Sequence, residues 1–350
     1  MKSITVGKFK IAQNYQPYFI AEAGVNHNGK LSLALKMVDA AARIGANAVK
    51  FQTFKAAEVT IANNSMAEYQ RKNTNKNFTQ LELLKKIELK KNFYGPIIEH
   101  CKKRKIEFLS TPHGGFGSVD FLRSLHVRAY KFGSGDLNNL PLLSYAAKDN
   151  IPIILGTGMS TLEEVRAAIK AIHSSGNKKI VVLHATTNYP CPLHEVNLRA
   201  MQTMMRSLPC LVGYSDHTAG IEAALAAFTL GACVIEKHFT LDRGLPGPDH
   251  KASATPEELN ILIKMIRNTS ILLGSSEKKP NKSELPMIRT TRKSIVSTAE
   301  IRKGEFFSHS NIGIKRPGTG LPPSDYNKII GKKSKRNINA DVLIRKNWYD

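Results

Sequence analysis

Eight short apolar runs, each closing on polar or charged residues, constrain the fold of this chain more than any other feature. They are YFIAEAG (18–24), NAVKFQTF (47–54), IEFLSTP (106–112), RAYKFGSG (128–135), IPIILGTG (151–158), KIVVLHATTNYP (179–190), CLVGYSD (210–216) and CVIEKHFT (233–240). Most begin roughly 20–30 residues after the one before, and segments of helical periodicity separate them. In LSLALKMVDAAARIGA (31–46) apolar residues recur at i, i+3, i+4 and i+7, and Gly45 provides a stop. STLEEVRAAIKAIHSSG (160–176) opens on a Ser/Thr cap with acids in its first turn and closes on a glycine. AGIEAALAAFTLGA (219–232) reads as a small-residue helix suited to close packing. A strand followed by a helix, repeated in this way, predicts a parallel (β/α)8 barrel. The competing open doubly wound sheet would want a nucleotide-type glycine loop after its first strand, and AEAGVNHNG has glycines only at 24 and 29.

The alternation stops at SSEKKPNKSELPM, a polar, Pro-containing stretch. Beyond it KSIVSTAEI (293–301), KGEFF (303–307) and NIGIKRPGTG (311–320) read as short strands and turns. The expected organisation is therefore a barrel domain over 1–275, a linker over 276–290 and a β-rich domain over 291–350. A module of about 60 residues is marginal alone and is expected to dock onto something.

Composition narrows the function classes. The 350 residues include 42% hydrophobic ones, enough for a sizeable core, yet no apolar run reaches the ~18 residues of a membrane span. The start, MKSITVGKFKIAQ, has no apolar segment of a secretory signal. Cys101, Cys191, Cys210 and Cys233 form no CxxC pair, which points to buried thiols in a reduced cytoplasm. A net charge of +23 suits nucleic acid, an anionic surface or small anionic substrates. The lysines and arginines are dispersed beside acids, and the densest run, GKKSKRNIN (331–339), lacks interleaved aromatics. Nucleic acid and membrane are therefore not the expected partners.

In a parallel barrel the chemistry sits at the carboxyl ends of the strands. Those ends supply Glu22, Lys50 and Gln52, Thr111, Lys131 with Ser134 and Asp136, Thr157, then Thr187, Asn188 and Tyr189, then Ser215, Asp216 and His217, and finally Glu236 and His238. Lys50 and Gln52 share a strand face, as do Glu236 and His238. His217 and His238 lie about twenty residues apart, the distance from one strand end to the next across a helix. Together they form a candidate metal pair that leaves coordination positions open for water and a substrate oxygen. Lys50 and Lys131 have two readings, a Schiff-base lysine as in a class I aldolase, or a pair that binds an anion. The neighbouring hydroxyls of Thr111, Ser134 and Ser215 favour anion binding. Arg316, in the RPGTG turn, could fork two oxygens of a ligand, and Asp249, in GPDHKAS (247–253), is available to bind hydroxyls.

FIAEAGVNHNG, VKFQTF, STP, YKFGSGD, LHATTNYP, GYSDHT, IEKHFT, GPDH and KRPGTG follow one another in an order and spacing that resembles the sialic (nonulosonic) acid synthases. The resemblance covers almost the whole chain, and the C-terminal module resembles the antifreeze-like (SAF) domain. It implies condensation of phosphoenolpyruvate with an N-acetylmannosamine-type sugar in a cytoplasmic enzyme. It also implies a domain-swapped homodimer in which Arg316 reaches the sugar bound by the other subunit. By position in the motifs, His217 and His238 would hold Mn²⁺, with Mg²⁺ or Co²⁺ as alternatives. Lys50, Thr111, Lys131, Ser134, Thr187 and Ser215 would bind phosphoenolpyruvate, and Gln52, Tyr189, Asp249 and Arg316 the sugar. Glu22 and Asp136 match the acidic positions at the reacting centre, the second of which is often a glutamate. Two departures stand out: a family serine is Gly156 here, and Thr187 stands where some members have asparagine. The segments AEYQ (67–70), QLELLKKIEL (80–89) and TTNYP look more like legionaminic acid synthases than N-acetylneuraminate synthases.

Overall fold

The computed structural model describes residues 3–74 and 78–350. They divide into two compact units, Met1–Gly274 and Ser275–Asp350. The first unit opens with an antiparallel hairpin, β1 (Ser3–Val6) and β2 (Phe9–Ala12). Eight parallel strands follow: β3 (Tyr18–Gly24), β4 (Ala48–Thr53), β5 (Glu107–Pro112), β6 (Tyr130–Phe132), β7 (Ile153–Gly156), β8 (Ile180–Ala185), β9 (Leu211–Asp216) and β10 (Val234–His238). Their ladder runs β5-β4-β3-β10-β9-β8-β7-β6, and the two end strands approach each other to close a (β/α)8 barrel. Every one of the eight expected strands is present.

The two-residue period of a strand sorts the side chains into two cores. Ile20, Ala48, Leu109, Ala129, Ile154, Val181, Leu183, Leu211 and Val234 pack inside the barrel. Their chain neighbours, among them Phe19, Val49, Phe108, Tyr130, Ile153, Val182, Val212 and Ile235, pack outward against the helices. Ile4, Val6 and Ile11 of the hairpin join the inner cluster, so the hairpin seals the amino-terminal end of the barrel. Gly213 continues the inner layer where there is no room for a side chain: a Cβ there would lie 2.5 Å from the Val234 carbonyl oxygen.

The outer helices begin where their caps predict. Thr161 caps Leu162–Ser174 and Thr255 caps Pro256–Leu273, each in a reciprocal box with a glutamate three residues on. The helix expected over 31–46 spans Leu31–Arg43, and the small-residue helix shortens to Glu222–Thr229. The long connection after β4 is not loose. It holds the short helices Ala56–Val59, Glu68–Thr74 and Gln80–Ile87, over an apolar cluster of Val25, Phe54, Met66, Leu83, Leu84 and Ile87.

The second unit has its own core of Ile295, Ile301, Phe307, Ile312, Leu321, Ile329, Ile338 and Ile344. Its two named strands are β11 (Ser294–Ser297) and β12 (Ile312–Lys315), paired antiparallel, while KGEFF contributes only an isolated bridge from Phe306 to Lys333. The stretch read as a linker belongs to this unit. Asn281 caps a turn at Lys282–Glu284 that runs into the helix Leu285–Thr291.

Candidate active site

Above the inner apolar layer the same inward positions turn polar. Glu22, Lys50, Thr111, Lys131, Ser215 and Glu236 are all buried. Strand register sets them side by side: Glu22 is the partner of Lys50 on β4 and of His238 on β10, and Glu236 is the partner of Ser215 on β9. Two ion pairs result. Lys50 Nζ lies 2.8 Å from Glu22 Oε2 and donates to Thr111 Oγ1 at 3.1 Å. Lys131 Nζ lies 3.3 Å from Glu236 Oε1, which also accepts from Ser215 Oγ at 3.1 Å.

The surroundings set the charges. Burial pushes the Glu22 carboxyl up to about 7, against the pull of Lys50 and with the help of Glu236. Burial also works against Lys50, but the Glu22 and Glu236 carboxylates outweigh it and its ammonium is held above the ordinary range. Lys131 is shifted down, chiefly by burial and despite Glu236. Glu236 stays below the usual carboxylate range because Lys131 and Lys50 overcome its burial. The quartet of two cations and two anions is formally neutral.

Glu22, Lys50, Thr111, Lys131 and Ser215, with the rim above them, line a cavity of about 270 Å³. Of the residues given a metal, substrate or catalytic role from the sequence, all but Asp136 and Arg316 line it, while Thr157, Asn188 and Glu236, also counted among the strand ends, do not. Arg316 belongs to the second unit, where it is exposed in its turn. Asp136 stands off the cavity wall, and His113, whose Nδ1 is 3.4 Å from Asp136 Oδ2, lines the cavity instead. The sequence reading also placed Asp216 at the mouth. It lies on the outward parity of β9 and is buried against Lys237, whose Nζ is 2.7 Å from Asp216 Oδ2, so its role is to join β9 and β10. Ser134 Oγ accepts the Gly158 N–H at 2.9 Å, and a Cβ on Gly156 would come within 3.0 Å of that hydroxyl. Glycine at 156 therefore leaves its space to Ser134. Thr157 does not replace the missing hydroxyl, because its Oγ1 donates to the Leu183 carbonyl. Thr187 Oγ1 is buried and unpartnered.

His217 and His238 face each other with ring centroids 5.5 Å apart. His217 Nδ1 meets the Thr186 carbonyl at 2.6 Å, which makes Nδ1 the protonated nitrogen and leaves Nε2 a free lone pair, approached by the Tyr189 hydroxyl at 3.2 Å. His238 Nδ1 is buried without a partner. Burial holds both imidazoles below their ordinary range, His238 further with the help of His217 and the lysines. Two neutral imidazoles with available nitrogens suit a divalent transition metal. Among the described residues no group of three or more His, Cys, Asp or Glu side chains is arranged as a metal site, so water or substrate would complete the coordination.

The remaining wall comes from the connection after β4. Tyr69 stacks on Tyr189 at 5.2 Å and lies beside Asp249, whose carboxyl burial pushes up to about 6. Val25, Phe54, Val59, Leu84 and Ile87 give this side an apolar surface interrupted by Gln70 and Gln80. Tyr69, Gln70, Gln80, Leu84 and Ile87 come from the segments singled out in the sequence, AEYQ and QLELLKKIEL.

A barrel with a buried charged quartet, paired imidazoles and a cavity of mixed polar and apolar lining at the strand ends is the architecture of a small-molecule enzyme. The chain belongs to the NeuB family, which it matches over residues 37–278, and a SAF domain follows at 292–347. It is 47% identical over 93% of its length to the N,N'-diacetyllegionaminic acid synthase of Campylobacter jejuni, covering 98% of that protein. It is 45% identical to the enzyme of the same name from Legionella pneumophila, over 93% of each chain. Among solved structures it resembles the N-acetylneuraminic acid synthetase of Leptospira borgpetersenii, at 34% identity and a TM-score of 0.73, covering 82% of this chain and 95% of that one. No described helix is long and apolar enough to cross a membrane.

Proposed function

We propose that this enzyme is a transferase that condenses phosphoenolpyruvate with an N-acetylated mannosamine derivative, giving a nonulosonic acid and inorganic phosphate. The sugar in this reading is 2,4-diacetamido-2,4,6-trideoxymannose, and the product N,N'-diacetyllegionaminate. The observation that carries it is the buried pair Lys50 and Lys131, set with Thr111, Ser134 and Ser215 in one cavity with His217 and His238. The names of the two legionaminic relatives support the choice of sugar. So does the apolar wall of Val59, Leu84 and Ile87, which suits a deoxy carbon better than a hydroxymethyl group. Gln80 Oε1, buried and unpartnered, can accept from an acetamido N–H.

Lys50 and Lys131 hold the phosphate and carboxylate of phosphoenolpyruvate, with Thr111, Ser134, Thr187 and Ser215 as hydroxyl donors. Gln52, Tyr189 and Asp249 orient the sugar. C3 of phosphoenolpyruvate attacks the open-chain aldehyde carbon, and positive charge develops at C2. The former aldehyde oxygen takes the proton of the Glu22 carboxyl, the resulting carboxylate stabilises the charge at C2, and Asp136 acts from behind the wall. Water adds at C2, and phosphate leaves with the electron pair of the C–O bond. His217 and His238 would hold a divalent ion, Mn²⁺ foremost, which when bound would supply Lewis-acid polarisation of the aldehyde oxygen. In the homodimer that belongs to this reading, Arg316 of a second copy completes the sugar site.

The test is phosphate release from phosphoenolpyruvate with Mn²⁺ and either N-acetylmannosamine or the 2,4-diacetamido-6-deoxy sugar, each with a chelator control. Metal-dependent release that is faster with the diacetamido sugar is the expected result. A Leu84→Asn change should lower that preference by about tenfold, the scale of one methyl contact. No release with either sugar from folded, metal-loaded protein overturns the reading. The lowered proton affinity of Lys131 also fits a Schiff-base aldolase. That alternative predicts borohydride trapping and activity that survives chelation.

A further inference from the structure

His113 is a cavity-lining titratable side chain that the mechanism above leaves without a part. Its backbone N–H donates to the Thr53 carbonyl at 2.9 Å, extending the β4–β5 ladder one residue past the strand, so the residue is anchored at the mouth. The ring lines the cavity and packs on Gly133, where an added Cβ would meet His113 Cε1 at 3.0 Å. Nδ1 is turned toward Asp136, 3.4 Å from Oδ2, and that oxygen is buried with no hydrogen-bond partner. With Asp136 beside Nδ1, the tautomer that carries its proton on Nδ1 leaves the Nε2 lone pair for whatever occupies the cavity. Gly133 is followed by Ser134, so His113 stands next to one of the hydroxyls assigned above to phosphoenolpyruvate. The charged and titratable groups that share this space are Asp136 beside the ring, Glu22, Lys50 and Lys131 on the inner strands, and His217, His238 and Asp249 on the same cavity wall.

We propose that His113 is a catalytic acid–base residue, oriented by Asp136, that moves the proton between the attacking water and the departing phosphate. As the water oxygen bonds to C2, one of its protons passes to His113 Nε2. As the C2–O bond breaks, its electron pair leaves with phosphate, and the imidazolium returns that proton to the phosphate oxygen. The remaining hydroxyl proton at C2 is lost to solvent as the ketone forms. Asp136 acts as a positioning residue. This inference rests on the synthase reading.

Steady-state kinetics of wild type, His113→Ala and His113→Gln in the same phosphate-release assay, over a pH series, test it. General acid–base catalysis of this kind contributes about 10²–10⁴-fold. Both variants should lose at least about 100-fold in kcat with KM for phosphoenolpyruvate within about threefold, and should keep wild-type circular dichroism and manganese content. Added imidazole should restore part of the lost rate to His113→Ala, which has a hole for it, and none to His113→Gln. The pH dependence of kcat should differ from that of wild type in both. An active wild type with His113→Ala within about threefold of it in kcat overturns the inference and leaves the synthase reading intact. So does a rate loss that imidazole does not relieve with the pH profile unchanged. A wild type that releases no phosphate overturns both.

Discussion

The Lys131–Glu236 pair allows a sharp test of the electrostatics under the cavity. Both side chains are buried and 3.3 Å apart, worth about 5 kcal/mol of attraction at an effective dielectric constant near 20. Replacing Lys131 by Met leaves the Glu236 carboxylate with the more distant Lys50, and removing one partner of a buried pair costs about 3–5 kcal/mol. The carboxylate can escape by taking up a proton, and this caps the penalty at the cost of protonation. Against an unfolded-state value of 4.5 the cap is about 2 kcal/mol at pH 6 and about 5 kcal/mol at pH 8. The sign follows directly. In the variant the folded-state affinity of Glu236 is raised, so stability present below pH 4.5 is lost as pH rises toward the new folded value. Urea unfolding of metal-free protein, followed by far-ultraviolet circular dichroism, should therefore show Lys131→Met losing more stability at pH 8 than at pH 6. Adding Glu236→Gln should recover most of that loss, since glutamine keeps an acceptor for Ser215 Oγ and carries no charge. A penalty independent of pH, or single-variant effects that add to within about 0.5 kcal/mol, would refute the pairing.

Phosphoenolpyruvate bound at Lys50 should raise the proton affinity of Glu22, already at about 7, so binding near pH 7 takes up roughly half a proton. Calorimetric titration in buffers of different ionisation heat measures this uptake, and Glu22→Gln should abolish it. His27, which burial and then His250 hold down to about 4 against 6.5 unfolded, leaves more protons on the unfolded chain between those values. Stability should fall as pH drops through that window, by about 3 kcal/mol for this group, and the slope should be shallower by one proton in His27→Gln. Gly213→Ala sets a Cβ 2.5 Å from a barrel-strand carbonyl and 2.7 Å from Leu183 Cδ2. Its midpoint in urea should report a loss of about 1–3 kcal/mol, with the metal affinity of His217 and His238 unchanged.

The barrel was legible because strand and helix periods alternate so regularly, and the mouth because every strand ends on groups a solvent-free core would refuse. What escaped was short or lay outside a strand. The β1–β2 hairpin has four-residue strands about a Gly7 turn, too brief for alternation to register, and MKSITVGKFKIAQ was read only for what it is not. The helix Leu285–Thr291 hides in a stretch whose Pro and Lys content reads as a linker. Asp216 was counted into the mouth although its neighbours Ser215 and His217 both line the cavity, and parity sends it outward to Lys237. Glu236 was seen on the face of His238 but given no part until its contacts with Lys131 and Ser215 were visible. His113 gives no periodic signal, since it follows Pro112 at the end of β5.

The paired state of the lysines bears on what the cavity can select. An unpaired buried ammonium would attract any anion, chloride and acetate included, and would be unstable in the empty protein. Here each lysine already has a carboxylate within 3.3 Å, and the apolar inner layer closed by the hairpin keeps bulk water from the floor. A monoanion offers little that Glu22 or Glu236 does not already supply, and it must leave its hydration behind. A ligand with two separated anionic groups can engage both lysines together, and the ordering cost is then met once for two contacts. Protonation of Glu22 as that ligand enters removes one competitor and lowers the cost of admitting negative charge. The same four charges that make the empty barrel neutral thus set a threshold of charge and spacing, which phosphoenolpyruvate, carrying phosphate and carboxylate as two distinct anionic groups on C2, is built to cross.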